Sequence, residues 1–392
     1  MDFSGLRAYY YNSEKINKDD IIWGLLELGV DVTISEYIIT LNDFTREQYQ
    51  ELEKTLGDTD FVVTQNFSLM VAELCHQKNL PYISWVYDSP QAALYHKEAF
   101  YPTSYVFAFD RTQVERLKAI GLTQVYYQPL AANIARTSAL NITDEEIVSY
   151  EADVAFVGTL YKKEYFQSLL DAMDPALRKA FWRELDALAC DWGKGKTVFG
   201  KLDPAVRAAV EGCVTDSPGY LMDHAFLTDI LLVSENVAGI ERKRALTRLA
   251  EHFETRLYTY SEVEEGELPG VEIHPKVSYE SEMYKVFFAS KINLNLTMRS
   301  IETGVPQRIF DIMSVGGFAM SNYQEEMEEL FVPDKEIVLF HNLDEMMEKT
   351  AYYLSHEKER LKIAMAGYQK VREEYNYPKA LTKMLKIALH QL

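Results

Sequence analysis

The sequence predicts an α/β protein built from two Rossmann-like domains that face each other across a cleft. Three observations carry this. The chain has 392 residues, 47% of them hydrophobic, a length that suits two domains each burying its own core. Short β-branched or aromatic runs alternate with helical patterns through roughly the first third, the signature of a parallel sheet covered on both faces. The same rhythm restarts at "ADVAFVGTL", which begins at Ala152, so residues 1–150 and 151–392 read as the two domains.

Taken in order, the first half offers the strands "LRAYYYN", "DVTISEY", "DFVVTQN", "YISWVYD", "SYVFAFD" and "QVYYQPLA". Each is rich in residues that pack well on a pleated, buried surface. Between the first two, "KDDIIWGLLELG" has Asp19 and Asp20 in its first turn, an apolar stripe at Ile22, Leu25 and Leu26, and Gly29 as a stop, and so reads as a helix. Past the restart, residues 162–236 carry helical patterns such as "PALRKAFWRELDAL" with few strand signals, which predicts a helical insertion in the second domain. The alternation resumes with the helix "ERKRALTRLAEHF" and the strands "TRLYTY", "VEIHPKV", "INLNLT", "FAMSN" and "EIVLFHN", before a helical C-terminal stretch.

Several function classes are excluded or disfavoured. Forty Lys and Arg stand against 60 Asp and Glu, a net charge of -20 that repels nucleic acid and anionic membranes but leaves room for a small phosphorylated ligand held locally. Cys75, Cys190 and Cys213 lack metal-like spacing and fit a reducing compartment. No basic leader with an apolar run and no apolar stretch of about 20 residues occurs, so the expected location is the cytoplasm, with no transmembrane segment. The loop after the first strand has no glycine, against a dinucleotide-binding turn, and G-x-x-x-x-G-K-[ST], G-x-S-x-G and H-E-x-x-H are all missing. Asp58-Thr59-Asp60 precedes its neighbouring strand instead of following one, and reads as a solvated turn; no metal is expected.

The most informative segment is "INLNLTMRSIETGVPQRIFDIMSVGGFAMSN", a strand, a loop, a helix and a glycine pair. Arg299, Glu302, Thr303 and Gly304 occupy the loop. Thr303 suits an N-cap, Gly304 lets a ligand approach the backbone, and Pro306 suits the first turn, which together describe an anion site at a helix N-terminus. Val305, Ile309, Ile312 and Met313 face the sheet, while Arg308 and Asp311 share a second face. That pair is either a phosphate and a ribose ligand or an ordinary i,i+3 salt bridge.

"GVPQRIFDIMSVGG" with its flanks "INLNLTMRSIETG" and "YQEEMEELF" resembles the nucleotide-binding half of the spore-maturation (CgeB-type) glycosyltransferases, relatives of retaining family 4 enzymes with the GT-B fold. "YISWVYDSPQAALY", "FAFDR" and "PLAAN" resemble the N-terminal domain that accompanies it. The resemblance implies GT-B architecture, with residues 1–150 as the acceptor domain. It puts Asp311 in place of the acidic residue that holds the donor ribose, and the loop from Arg299 to Val305 in place of the segment that cradles diphosphate and sugar. Family 4 enzymes often carry two glutamates eight positions apart; here Thr303 stands eight before Asp311, with Glu302 one place off.

Further candidates flank this core. Gly158 and Thr159 end the second domain's first strand and either face the cleft or make a tight turn. "KVSYESE" looks like the base-recognising segment, with Tyr279 the candidate contact, or simply an aromatic beside a helix cap at Ser278 or Ser281. Arg242 and Arg244 lie early in a helix, where a nearby anion or plain solvation accounts for them. Asp88 follows a strand at the rim of the acceptor side, as a general base or as a turn-forming or capping residue of "PQAALYHKEAF"; Asp110 has the same ambiguity ahead of "RTQVERLKAIG".

The expected activity is transfer of a sugar from a nucleotide-sugar donor, a UDP-sugar, to a hydroxyl of a protein, polysaccharide or small acceptor. Arginines and N–H groups, Arg308 among them, stabilise the leaving diphosphate without a metal or other cofactor. Retention is implied by the resemblance. A sugar-nucleotide epimerase or hydrolase, or a non-catalytic binding protein of the same fold, are the alternatives.

Overall fold

Among the described residues the alternation resolves into twelve strands in two six-stranded sheets, every strand pairing parallel. A computed structural model describes residues 3–11, 17–35, 45–161, 164–192, 198–215 and 219–389. The first sheet contains β1 (Arg7–Tyr10), β2 (Asp31–Ile34), β3 (Phe61–Gln65), β4 (Tyr82–Val86), β5 (Ser104–Ala108) and β6 (Val125–Tyr127), in the order β2-β1-β3-β4-β5-β6. The second contains β7 (Val154–Val157), β8 (Thr255–Thr259), β9 (Glu272–Pro275), β10 (Ile292–Asn295), β11 (Ala319–Asn322) and β12 (Val338–Phe340), in the order β12-β11-β10-β7-β8-β9. Every residue of β3, β4 and β5 is buried, which is why these strands read as continuous apolar runs.

The strand order reverses between β1 and β3 in the first sheet, and between β7 and β10 in the second. Connections leave such a point in opposite directions, so a crevice opens at the strand C-termini. The loops that follow β7 and β10 therefore define where a ligand meets the second sheet. Asp58-Thr59-Asp60 lies at the other end of the strands, where Asp60 accepts the Arg7 N–H at 2.7 Å.

Among the described residues, the stretch from residue 162 to 236 is helical, with Pro175–Leu188 as its longest helix and a separate core of Leu170, Phe181, Leu185, Val206, Val210 and Leu232. It also reaches the other half. The Leu221 N–H donates to the Tyr95 carbonyl at 2.7 Å, the Phe226 ring meets Tyr95 at 5.9 Å, and the Arg116 guanidinium lies 4.4 Å over Phe226.

One local expectation is corrected. "PQAALYHKEAF" forms no α-helix but two 3-10 turns, Ala92–Tyr95 and Lys97–Phe100, after a cis Ser89-Pro90 bond. Asp88 accordingly has no α-helix there to cap. Its carboxylate instead accepts the Asn66 Nδ2–H at 2.7 Å, from the residue just past β3. Asp110 does act as a cap, for Arg111–Ala119, accepting the Thr112 N–H at 3.1 Å.

The last helix, Tyr377–Ala388, leaves the second sheet and packs on the first half against Lys18–Glu27. Tyr377 is fully buried, its ring 5.3 Å from Trp85 and its hydroxyl 3.0 Å from that of Tyr87. Gly24 permits the close crossing, since a Cβ there would lie 2.6 Å from Leu381 Cδ1. Beside this return, the Ala132 N–H donates to the Tyr375 carbonyl at 2.9 Å. Among the described residues no helix is long and apolar enough to cross a membrane. Tyr377→Ala should cost about 3–5 kcal/mol, the scale of an aromatic truncation in a packed core. Denaturant melts should show that loss, and limited proteolysis should release the C-terminal helix first.

Candidate active site between the two sheets

The switch point of the second sheet is occupied by two arginines. Arg242, from helix Glu235–Ala250, donates to the Thr159 carbonyl at 2.6 Å and to the Leu296 carbonyl at 2.8 Å, joining the residues just beyond β7 and β10. Its guanidinium lies 4.5 Å from the Tyr161 ring centre and 5.1 Å from that of Phe156. Arg308, from helix Gln307–Ser314, donates to the Val157 carbonyl and lies 5.6 Å over Phe287. Each keeps a buried Nε–H without a hydrogen-bond partner, and neither forms an ion pair with a carboxylate among the described residues. Burial pulls the Arg308 pKa below the ordinary arginine range, against the attraction of Asp311, yet a guanidinium stays protonated at neutral pH. A buried Arg242 and a half-buried Arg308, each with a buried donor to spare, make a place for an anion.

Arg242 is not early in its helix. Helix His224–Thr228 and the π-helical stretch Asp229–Ser234 run directly into Glu235–Ala250, so the dipole argument does not apply to it. Arg244 parts from Arg242, pairing with Asp186 of the insertion.

The i,i+3 salt bridge between Arg308 and Asp311 is not formed. Arg308 turns to the β7 carbonyl, while Asp311 Oδ1 accepts the Gln307 Nε2–H at 2.8 Å and lies 3.4 Å from the Tyr279 hydroxyl. Tyr279 also donates to Asp20 Oδ2 at 3.1 Å and accepts from Asn17. Tyr279 thus spans the cleft, joining buried Asp311 of the second half to buried Asp20 of the first. Ser278, not Tyr279, serves the next helix, its Oγ accepting the Glu282 N–H at 3.3 Å.

Asp20 is the position of the candidate site that the sequence does not reveal. Read as one of two acids favoured in a first turn, it is fully buried, receiving Asn133 Nδ2 at 2.9 Å and pairing with Arg136 at 2.8 Å. Both partners lie more than a hundred residues away, and no local pattern announces them. Burial raises its pKa while Arg136 opposes the rise.

The loop from Arg299 to Val305 departs from its expected part as a diphosphate cradle. Arg299 is drawn into a buried ion pair with Glu241. Glu302 pairs with Arg116 of the first half at 2.5 Å, and its N–H donates to Asp110 Oδ2 at 2.8 Å. The Thr303 hydroxyl donates toward Asp110 at 2.8 Å and lies 2.7 Å from Glu326, so it does not cap the helix, which begins only after Pro306. Gly304 meets protein: a Cβ would stand 2.8 Å from the Phe109 ring and 3.0 Å from Asp110 Cα. Val305 is buried in the core. This loop clasps the two halves together.

Gly158 and Thr159 do lie at the switch point. A Cβ on Gly158 would come within 3.6 Å of Arg242, and the Thr159 hydroxyl is 3.0 Å from Ser261 Oγ. Asp88 is exposed near the clasp, where the neighbouring Ser89 carbonyl accepts the Ser300 hydroxyl at 3.0 Å. Among the described residues, no group of three or more His, Cys, Asp or Glu comes together to hold a metal.

Residues 242–386 match a family model described as glycosyl transferase-like. No curated protein matches the chain. A glycosyltransferase from Rickettsia africae superposes with a TM-score of 0.58 at 10% identity, over 98% of both chains. Anabaena HepE, solved with UDP and glucose, gives 0.55 at 9% identity over 98% of this chain and 99% of its own. A glycosyltransferase of avilamycin A biosynthesis gives 0.52 at 12% identity over 98% and 97%. The α/β architecture is therefore that of GT-B glycosyltransferases, with two Rossmann-like halves about one cleft.

Burial also lifts Asp311 from its ordinary 3.8 to about 7, with Gln307 and Arg308 opposing and Asp20 adding to the rise. Between those values the folded protein keeps a proton that the unfolded chain releases, so this group's contribution to stability is lost as pH rises through about 7. Asp311→Asn should abolish that part of the slope. Thermal melts across the window should show wild type losing stability relative to the variant as pH rises, with the difference level above it.

Proposed function

We propose that the chain is a glycosyltransferase that moves a sugar from a UDP-sugar to a hydroxyl of a protein, polysaccharide or small acceptor in the cytoplasm, with no metal and with retention. The single observation that carries this is the pair of a buried Arg242 and a half-buried Arg308 at the switch point, neither ion-paired with a carboxylate among the described residues. A diphosphate gains negative charge as its bond to the sugar breaks, and fixed cations in a dry site stabilise that change most. Bound there, it takes the spare Nε–H groups and replaces the carbonyl contacts.

Asp311 and Tyr279, adjoining the arginines, serve the nucleoside: the carboxylate accepts ribose hydroxyls and the ring lies beside the base. That assignment follows the resemblance to family 4 and spore-maturation enzymes, and HepE, which binds UDP and glucose, supports uridine as the base. Because Tyr279 is shared with Asp20, donor binding draws on the same groups that join the two halves. With the departing phosphate taking the acceptor proton, retention needs no protein base. Exposed Asp88 supports a second reading, inversion with Asp88 as base, and the anomeric configuration of the product separates the two.

UDP should raise the melting temperature, since a ligand at about 100 times its Kd stabilises the folded state by about 2.7 kcal/mol. No shift with UDP, GDP, TDP or CDP at millimolar concentration would falsify the donor site. Arg308→Ala should lower turnover more than UDP affinity, while Asp311→Asn should weaken UDP binding by about 1.5–3 kcal/mol, the scale of a hydrogen bond to a charged group. Donor turnover should persist in EDTA; activity that vanishes there and returns with manganese overturns the metal-free account.

A further inference from the structure

Tyr161, whose ring carries the Arg242 guanidinium, also forms part of the wall of a second cleft of about 870 Å³. Trp182 and Gln167 of the insertion, Asn236 of helix Glu235–Ala250, and Tyr260 and Glu264 of the loop after β8 contribute the rest of its character. Its size falls within the range of roughly 300–1,000 Å³ typical of small-molecule sites.

Charge decides what this cleft accepts. Lys243 is 2.7 Å from Glu267, and Asp171 is paired with Arg178. Glu262 and Glu264 form no ion pair among the described residues, which leaves the walls net negative. A diphosphate is repelled. The aromatic content points the same way: Tyr260 is 73% exposed, and the half-buried Trp182 ring faces the same space. Flat rings of this kind cover the C–H face of a pyranose, while carboxylates and amides take its hydroxyls. Asn236 supplies a fixed polar floor, itself buried and accepting Gln167 Nε2 at 3.3 Å. A wholly apolar ligand would strip these groups of water without pairing them.

We propose that this cleft binds a saccharide without negative charge, stacked on Tyr260 and Trp182 and hydrogen-bonded by Asn236, Glu262 and Glu264. It lies outside the anion site and does not depend on the transfer reading. Calorimetry on the full chain tests it with four probes: a neutral N-acetylglucosamine trisaccharide, the cationic glucosamine trisaccharide, an anionic galacturonate trisaccharide, and UDP. The neutral and cationic probes should bind saturably, with the anionic one weaker by about tenfold or more. Tyr260→Ala should weaken the first two by about tenfold or more while leaving the melting temperature and UDP affinity unchanged. Glu264→Gln should narrow the gap between the anionic probe and the other two. Absence of binding by both uncharged and cationic probes at about 10 mM, unaltered binding in Tyr260→Ala, or displacement of the saccharide by UDP overturns the assignment. Saccharide failure with UDP binding intact removes this cleft alone; UDP failure with saccharide binding intact removes the donor site alone.

Discussion

Where the second sheet reverses its strand order, the ends of β7 and β10 diverge, and the carbonyls of Val157, Thr159 and Leu296 meet two guanidinium groups in place of another strand. A buried cation without an anion is costly, and each arginine is kept by carbonyl dipoles and aromatic faces instead of by a carboxylate. The surrounding sequence serves that arrangement. Ile309 and Ile312 press helix Gln307–Ser314 to the sheet and hold Arg308 at the strand end. The length of helix Glu235–Ala250 with its π-helical lead brings Arg242 to the same place. The incomplete pairing of these cations is the chemical property on which an anion site rests.

The opposing charge is kept at one remove. Asp311 and Asp20 are buried from opposite halves, and a single tyrosine hydroxyl stands between them. Burial raises the pKa of each, the charge of Asp20 adds to the rise at Asp311, and the hydrogen bond from the Tyr279 hydroxyl opposes the rise at both. The clasp of Asp110, Thr303 and Glu302 is the other polar seam, and there backbone N–H groups and the Thr303 hydroxyl supply donors to the one carboxylate.

The fold was legible because parallel strands buried on both faces, such as β3, β4 and β5, read as near-continuous apolar runs, while the largely exposed β2 is legible from its β-branched residues, and "ADVAFVGTL" marks the restart. The helical insertion was legible from periodicity alone. The site was legible only in part. Arg308 and Asp311 were recognisable as residues of one helix face, but whether they pair is decided by Val157 and Tyr279, which the helix itself does not specify. Thr303 and Gly304 look like an anion loop because a cap and a close approach need the same residue types whether the neighbour is a phosphate or Phe109 and Asp110. Asp20 was missed because its partners are remote, and the 3-10 turns after Asp88 were missed because "PQAALYHKEAF" carries helical composition without the backbone to use it.

The return of Tyr377–Ala388 to the first half means that the chain passes between the halves twice, and the hydrogen bond from Ala132 to Tyr375 sets the two passages side by side. Were one half to turn on the other, two adjacent passages would be the pivot. Rotation of one half on the other leaves this point nearly still and displaces every other contact in proportion to its distance from it, so the insertion's hold on Tyr95 and the clasp at Asp110 act as latches on a lever, while Tyr377 travels with the fulcrum.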